Sequence, residues 1–362
     1  MAKKVNKENE LINPNNLTER IMMDLNKQFG GEIAKNADSI LNQHINIIPT
    51  SPSVDLILHG GVPEGSFVSL SGKYKTGKTT LALNIAANAQ KKFGKTVYFI
   101  NVEGRLKKMN LRGTNGLNTN PEKFVIIGSD NENIRSSKDY LNATEFIIKN
   151  HPGCVVIIDS LSALVDGQQL VNGAGSGMPG GGQKTVAEFV SNMANVVPIN
   201  KTILIGITHK IPTIAVHMGP KTAEKVAQRW LFQSDIRLTV KYTKPLKVGE
   251  KQVGQEVNWL CEASALGSPG GVITAYLRYG VGYDEIYELM QFAINMKLIS
   301  KGGTWFTIDF LSKLDEYKDS QPKVQGQENL YQALVEKPEW VELLKSELAE
   351  YKDMLVGSDS GE

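Results

Sequence analysis

Cysteine is scarce in this 362-residue chain: only Cys154 and Cys261 occur, each inside an apolar, strand-like run. No CxxC and no paired His/Cys spacing is present. That argues against a structural zinc site or a disulfide scaffold and predicts two buried free thiols in a reducing cytoplasm. Long hydrophobic runs are missing too. Runs such as Val155–Ile158 fall far short of the ~20 residues that span a bilayer, so no membrane partner is expected. The opening MAKKVNKENE puts no apolar segment behind its lysines, and no signal peptide is expected. Charge of one sign is also lacking: 40 Lys and Arg stand against 38 Asp and Glu, a net +2. Any nucleic-acid contact must therefore rest on local patches.

What is present is an alternation of strand and helix patterns. At roughly 150 residues per domain, the length suggests two to three units. Leu17, Ile21, Met22, Leu25 and Phe29 share one face of a predicted helix that Gly30-Gly31 stops. After a Pro/Ser/Gly stretch at 49–65, strands are predicted at 66–72, 96–103, 124–127, 154–159 and 202–208. Helices are predicted at 78–93, 138–149 and 184–196. Near-continuous apolar strands separated by helices indicate a parallel sheet covered on both faces. Three further β-prone runs, 235–242, 256–264 and 272–279, have no helix between them and should extend that sheet antiparallel. Beyond Asp284 the pattern is mostly helical to about Met354, with a small hairpin at 301–308. Residues 328–332 spell a protease-recognition sequence, ENLYQ, inside a helical stretch and are read as native.

The strongest motif is Gly72-Lys73-Tyr74-Lys75-Thr76-Gly77-Lys78-Thr79, followed by Thr80. It fits G-x-x-x-x-G-K-[ST] between a strand and a helix. Glycines at 72 and 77 let backbone N–H groups converge on a phosphate, and the helix aims its positive end there. Lys78 then reaches the terminal phosphates, and Thr79 offers a hydroxyl to Mg²⁺. Asp159 ends the apolar strand VVIID, as a carboxylate in the outer shell of magnesium or as a helix cap. Glu103 ends TVYFINVE, as a base for water or as a solvated strand end. His209 ends TILIGITH, as a hydrogen-bond partner of a γ-phosphate or as an ordinary polar terminus.

Together with LNKQFGGEI, LILHGGVPEGSF, VVIIDSLSAL, DIRLTVKY and YELMQFAINMKLISKGGTWFTI, these stretches resemble the RecA-family recombinases, most of all the phage UvsX type, over about residues 17–350. The resemblance implies an α/β RecA-like ATPase core (61–283) with a twisted, mainly parallel sheet extended by antiparallel strands. It adds a small N-terminal polymerisation element (1–60), a C-terminal α/β lobe (284–355) and a flexible tail (356–362). It implies a DNA-dependent ATPase that uses ATP and Mg²⁺, self-associates into a helical filament on single-stranded DNA and pairs it with a homologous duplex. Such a protein works in the cytoplasm of a bacterial or phage-infected cell, with loader or single-strand-binding proteins as further partners. Carried over by position, Glu103 is the base, Lys78 and His209 act at the γ-phosphate, Thr79 and Asp159 hold magnesium, and Tyr279 packs near the adenine.

Two segments are expected at DNA. Residues 166–183 contain seven glycines and cannot build a helix or strand core. Residues 210–229 combine Lys210, Lys221, Lys225 and Arg229 with Ile214, Val216 and Met218, cations for phosphates beside apolar contacts for unstacked bases. The family resemblance places contacts at Met178, Lys184, Lys210, Met218, Gln228 and Arg229. Two departures stand out. Ala263 and Ala265 occupy positions where cellular members carry lysines that reach the neighbouring subunit's ATP, which predicts slow turnover or a substitute cation such as Lys73 or Lys75. Lys107–Asn110 lacks the acid and aromatic common near the adenine. The alternatives are a ring-forming helicase on the same core and an ATP-binding DNA-coating protein with little hydrolysis.

Overall fold

A computed structural model describes residues 17–130, 132–164, 181–212 and 222–357. The chain divides into two compact units between Asn46 and Ile47. The smaller carries the expected helix, Leu17–Phe29. The Asn26 side chain clasps the chain after it, donating to the Ala34 carbonyl at 3.0 Å and accepting from the Ala34 N–H at 2.8 Å. Leu17, Ile21 and Phe29 stay exposed along the helix.

The larger unit is built on one mixed sheet. In chain order its strands are β1 (Ile47–Ile48), β2 (Val62–Pro63), β3 (Phe67–Gly72), β4 (Val97–Asn101), β5 (Phe124–Ile127), β6 (Val155–Asp159), β7 (Ile203–Pro212), β8 (Thr222–Glu224), β9 (Ile236–Val248), β10 (Lys251–Ala263), β11 (Val272–Arg278) and β12 (Gly282–Tyr283). The main sheet runs β12-β11-β10-β9-β3-β7-β6-β4-β5, with β8 added to β7 and β1–β2 as a separate pair. Pairings from β9 through β3 to β5 are parallel, and β9 to β12 are antiparallel, as the helix-free stretch after residue 234 predicts.

Both faces are covered. Helix Lys78–Phe93 packs on one through Leu81, Ile85 and Ala89. Helices Ser137–Asn150 and Gly181–Met193 pack on the other through Leu141, Ile148, Val190 and Met193. Cys154 and Cys261 are free, buried thiols in these cores. Burial pushes the Cys154 thiol up to about 11, so it behaves as a small hydrophobe.

Segment 43–51, with Ile45, Ile47 and Ile48, has the apolar pattern of a strand that a neighbouring subunit would receive. The structure uses part of it at home: Ile47 pairs with Pro63, Ile48 with Val62, and Ile48 is fully buried with Val54 and Leu58. Asp55 fixes the following turn by accepting from the Thr50 N–H and hydroxyl, both at 2.7 Å.

C-terminal to the sheet, helices Glu285–Asn295, Gln327–Glu336 and Pro338–Gly357 enclose a third core with Met290, Phe306, Leu330 and Leu344. The expected hairpin is present as Ser300–Gly302 and Trp305–Thr307. A third strand, Lys323–Gln325, joins it; three residues are too few for a periodic signal. Leu330 and Tyr331 of ENLYQ are buried, which makes that sequence part of the fold. No helix among the described residues is long and apolar enough to cross a membrane.

Glu288 joins this lobe to the sheet. It is fully buried, its Oε2 accepts the Ser53 N–H at 2.7 Å, and its Oε1 accepts the Tyr276 N–H at 3.0 Å. Burial pushes the carboxyl from its ordinary 4.5 up to about 7 against those hydrogen bonds. The folded state then holds a proton that the unfolded chain has lost. Its stabilising contribution is greatest below pH 4.5 and falls as pH rises towards 7. Urea unfolding of wild type and Glu288→Gln across this range should show the difference in unfolding free energy moving against wild type by about 3 kcal/mol. A difference independent of pH would contradict it.

Candidate nucleotide and DNA site

β3 ends at Gly72, and the chain wraps back through left-handed backbone at Lys75 (φ 59°) and Gly77 (φ 84°) before the helix starts at Lys78. A side chain at 77 would meet the Tyr283 hydroxyl at 3.0 Å and Leu277 at 3.1 Å, so glycine is required by space as well as by φ. Lys78 is 4% exposed, and its ammonium donates to the Gly72 carbonyl at 3.1 Å and the Lys73 carbonyl at 2.6 Å. Burial lowers it to about 8, against the attraction of Asp159 and Glu103. It is a cation enclosed by dipoles, suited to a poly-anion at the helix N-terminus.

Strand register assembles the rest. Gly72 lies beside His209 across β3/β7, and Asn101 beside Asp159 across β4/β6, so four strand ends meet at one edge. Thr79 Oγ1 donates to Asp159 Oδ2 at 2.8 Å. Burial raises the Asp159 carboxyl, the Thr79 hydrogen bond opposes this, and Glu103 reinforces it. A second negative charge so close is best offset by a cation, and this hydroxyl–carboxylate pair offers the hard oxygens that Mg²⁺ prefers.

Glu103 sits just past β4 with both oxygens engaged. Oε1 accepts from Ser160 Oγ at 2.6 Å and from His209 Nε2 at 2.9 Å, while Arg105 Nη1 lies 3.4 Å from Oε2. A carboxylate only accepts, so His209 carries its proton on Nε2. The His209 hydrogen bond, against the opposing effect of burial, together with those from Ser160 and the charge of Arg105, holds Glu103 down at about 2. It is ionised at any working pH. The His209 N–H in turn donates to Ser162 Oγ at 2.8 Å.

Lys78, Thr79, Glu103, Arg105, Asp159 and His209 line a cavity of about 740 Å³ that also takes in Thr76, Gly77, Thr80, Lys107, Asn110 and Tyr279. Tyr279 is half exposed, and its hydroxyl accepts from Gln252 Nε2 at 2.8 Å. Lys75 lines the cavity, whereas Lys73 is exposed and is not among its lining residues. Arg105, Ser160 and Ser162 are additions to the residues singled out by sequence. Ser160 directly follows Asp159 and Arg105 lies two residues from Glu103, but neither position carries a motif.

The second segment expected at DNA is flanked by a built base. β7 runs on past His209, and Lys210 pairs with Glu224, Ile211 with Ala223 and Pro212 with Thr222, so 210–212 and 222–224 form an antiparallel two-stranded stalk. Thr208 Oγ1 donates to Glu224 at 3.0 Å and the Lys225 N–H to the His209 carbonyl at 3.0 Å. Lys210 itself is engaged by Glu262 at 3.3 Å. Residues 222–224 form the second strand of the stalk, and a short helix, Gln228–Gln233, follows. Gln228, Arg229 and Lys184 are exposed. Met178 and Met218 lie outside the described residues.

Comparison with known proteins follows the same lines. A family model described as the RecA N-terminal domain matches residues 16–284. Protein RecA of Thermus thermophilus is 27% identical over 350 residues, covering 95% of this chain and 97% of its own length. Protein RecA of Deinococcus radiodurans is 28% identical over 326 residues (89% and 84%), and that of Acholeplasma laidlawii 26% over 338 (91% and 95%).

Proposed function

The chain belongs to the RecA family, and from that premise we propose that it is an ATP-dependent recombinase: it binds single-stranded DNA as a filament, pairs it with a homologous duplex and hydrolyses ATP. The reading rests on one observation above the rest. Glu103, placed to activate water, is hydrogen-bonded to His209, and His209 leads straight into the stalk that carries the second DNA segment. A γ-phosphate that engages His209 competes with Glu103 for the imidazole, so the nucleotide's state is felt at the stalk.

In the hydrolytic step, Glu103 takes a proton from water, the water oxygen bonds to the γ-phosphorus, and the bond to the bridging oxygen breaks with ADP leaving. Lys78 holds the β- and γ-phosphates. Mg²⁺, bound through Thr79 and backed by Asp159, would neutralise charge between those phosphates. Tyr279 offers its ring at the cavity rim for the base. The exposed apolar face of helix Leu17–Phe29 is our candidate for docking one subunit on the next. Lys184, Gln228 and Arg229 are the exposed groups we assign to DNA, with Met178 and Met218 from the two segments. The phage-type branch of the family is our reading from histidine at 209.

The test is strand exchange between a single strand and a homologous duplex. Wild type with ATP and Mg²⁺ should convert substrate, and Lys78→Ala should lose at least ~100-fold of the rate, since the ammonium faces charge that grows in the transition state. Single-strand affinity should be higher with a non-hydrolysable ATP analogue than with ADP. Equal affinities would falsify the coupling.

A further inference from the structure

A phosphoryl-transfer site needs cationic charge beyond the loop lysine to stabilise the transition state, and such a group is worth about 10³–10⁵ in rate. In this chain the strand that could lend it to a neighbour ends at Ala263, with Ala265 just beyond it. Two cations near the end of that strand are committed: Lys210 lies 3.3 Å and Arg237 3.9 Å from Glu262. Lys73 does not line the cavity, and Lys75 leans over the exposed Tyr74 ring at 5.5 Å.

Arg105, which lines the cavity as Lys75 and Lys107 do, differs from them in reaching Glu103. Its guanidinium lines the phosphate cavity, lies 5.3 Å from the centre of the Tyr74 ring, and stands 3.4 Å from Glu103 Oε2. Tyr74 belongs to the phosphate loop itself, so the guanidinium is parked between that loop and the residue placed to activate water. The side chain is 63% exposed, which leaves it free to swing at little cost in packing. Glu103 Oε1 is already shared by Ser160 and His209. Oε2 is therefore the oxygen left to accept a proton from water, and Arg105 covers it.

Building on the functional reading above, we propose that Arg105 is an arginine finger supplied in cis, which covers Glu103 Oε2 until ATP binds and then moves to the γ-phosphate. A guanidinium offers paired donors and favours a multiply charged phosphate over one carboxylate. Its departure frees Oε2 to take the proton as the water oxygen bonds to the γ-phosphorus and ADP leaves with the bridging electron pair. Its arrival stabilises charge on the equatorial oxygens. No proton passes through Arg105. One residue thus blocks the base while the site lacks a γ-phosphate and completes the site once it is there.

The experiment compares wild type, Arg105→Ala, Arg105→Lys and Lys75→Ala in DNA-stimulated phosphate release, and in binding of ADP with and without aluminium fluoride. Arg105→Ala should lower kcat by at least tenfold, Arg105→Lys should recover part of the loss, and Lys75→Ala should lose less. ADP affinity of Arg105→Ala should stay within about threefold of wild type, while the extra affinity conferred by aluminium fluoride disappears. That last readout separates a group acting on transition-state charge from one that merely supports the fold. A fall below tenfold, a larger loss in Lys75→Ala, or parallel loss of both affinities would overturn the assignment. Wild type that releases no phosphate at all would sink the functional reading itself, whereas active wild type with active Arg105→Ala sinks this inference alone.

Discussion

Replacing Glu103 with glutamine should lower phosphate release by about 10²–10⁴-fold, the range expected for removing a general base, while ATP binding stays near wild type. The amide is nearly isosteric. Its oxygen still accepts from His209 and Ser160, so the strand ends at 101–103 and 209 keep their spacing. What it cannot do is take a proton. The carboxylate is held at about 2, so wild type has the base ready across the neutral range and the loss should be independent of pH between 6 and 8. Phosphate release with and without single-stranded DNA measures it. A drop of less than tenfold would mean that water is activated elsewhere.

The largest effect on stability should come from Trp230. Its ring is fully buried, meets Phe67 edge-on at 5.8 Å, and lies over Gly206, where a Cβ would sit 2.3 Å from the indole. Trp230→Ala should cost about 3–5 kcal/mol in unfolding free energy, as a transfer term plus a cavity. Trp230→Phe should cost markedly less. The indole N–H is buried with no partner among the described residues, so losing it returns part of a desolvation cost of about 1–3 kcal/mol. Denaturant unfolding of the two variants decides the order. Arg229 and Gln228 precede this anchor, so the alanine variant should also weaken on single-stranded DNA even where it remains folded.

The strand–helix alternation and the phosphate loop were legible because each leaves a periodic or spaced signal. Helix Lys78–Phe93 and strand Phe124–Ile127 fall where the pattern puts them. Other boundaries moved for identifiable reasons. β9 runs six residues past Tyr242, through Lys244-Pro245, which reads as a turn. β3 pairs with β9 only from 236 to 239, so Pro245 lies beyond that pairing and has only Gln255 of β10 beside it, a setting where the lost N–H costs little. The stalk of β7 and β8 was invisible because three residues of β8 show no alternation. Arg105 was missed for a different reason: Glu103 is its near neighbour in sequence, but Tyr74 of the phosphate loop, 31 residues earlier, is brought to it only by the fold.

The position of β3 has a consequence for the birth of the molecule. The strand that ends in the phosphate loop sits between β7 and β9, and Phe67 and Ser71 bond to Asp235 and Thr239, each 168 residues further along. At roughly 5–20 residues per second, a ribosome needs on the order of 10–30 s to deliver those partners. For most of that interval, until β7 is made, an apolar segment waits with both backbone edges unpaired, a stretch in which chaperone capture or misassociation competes with folding.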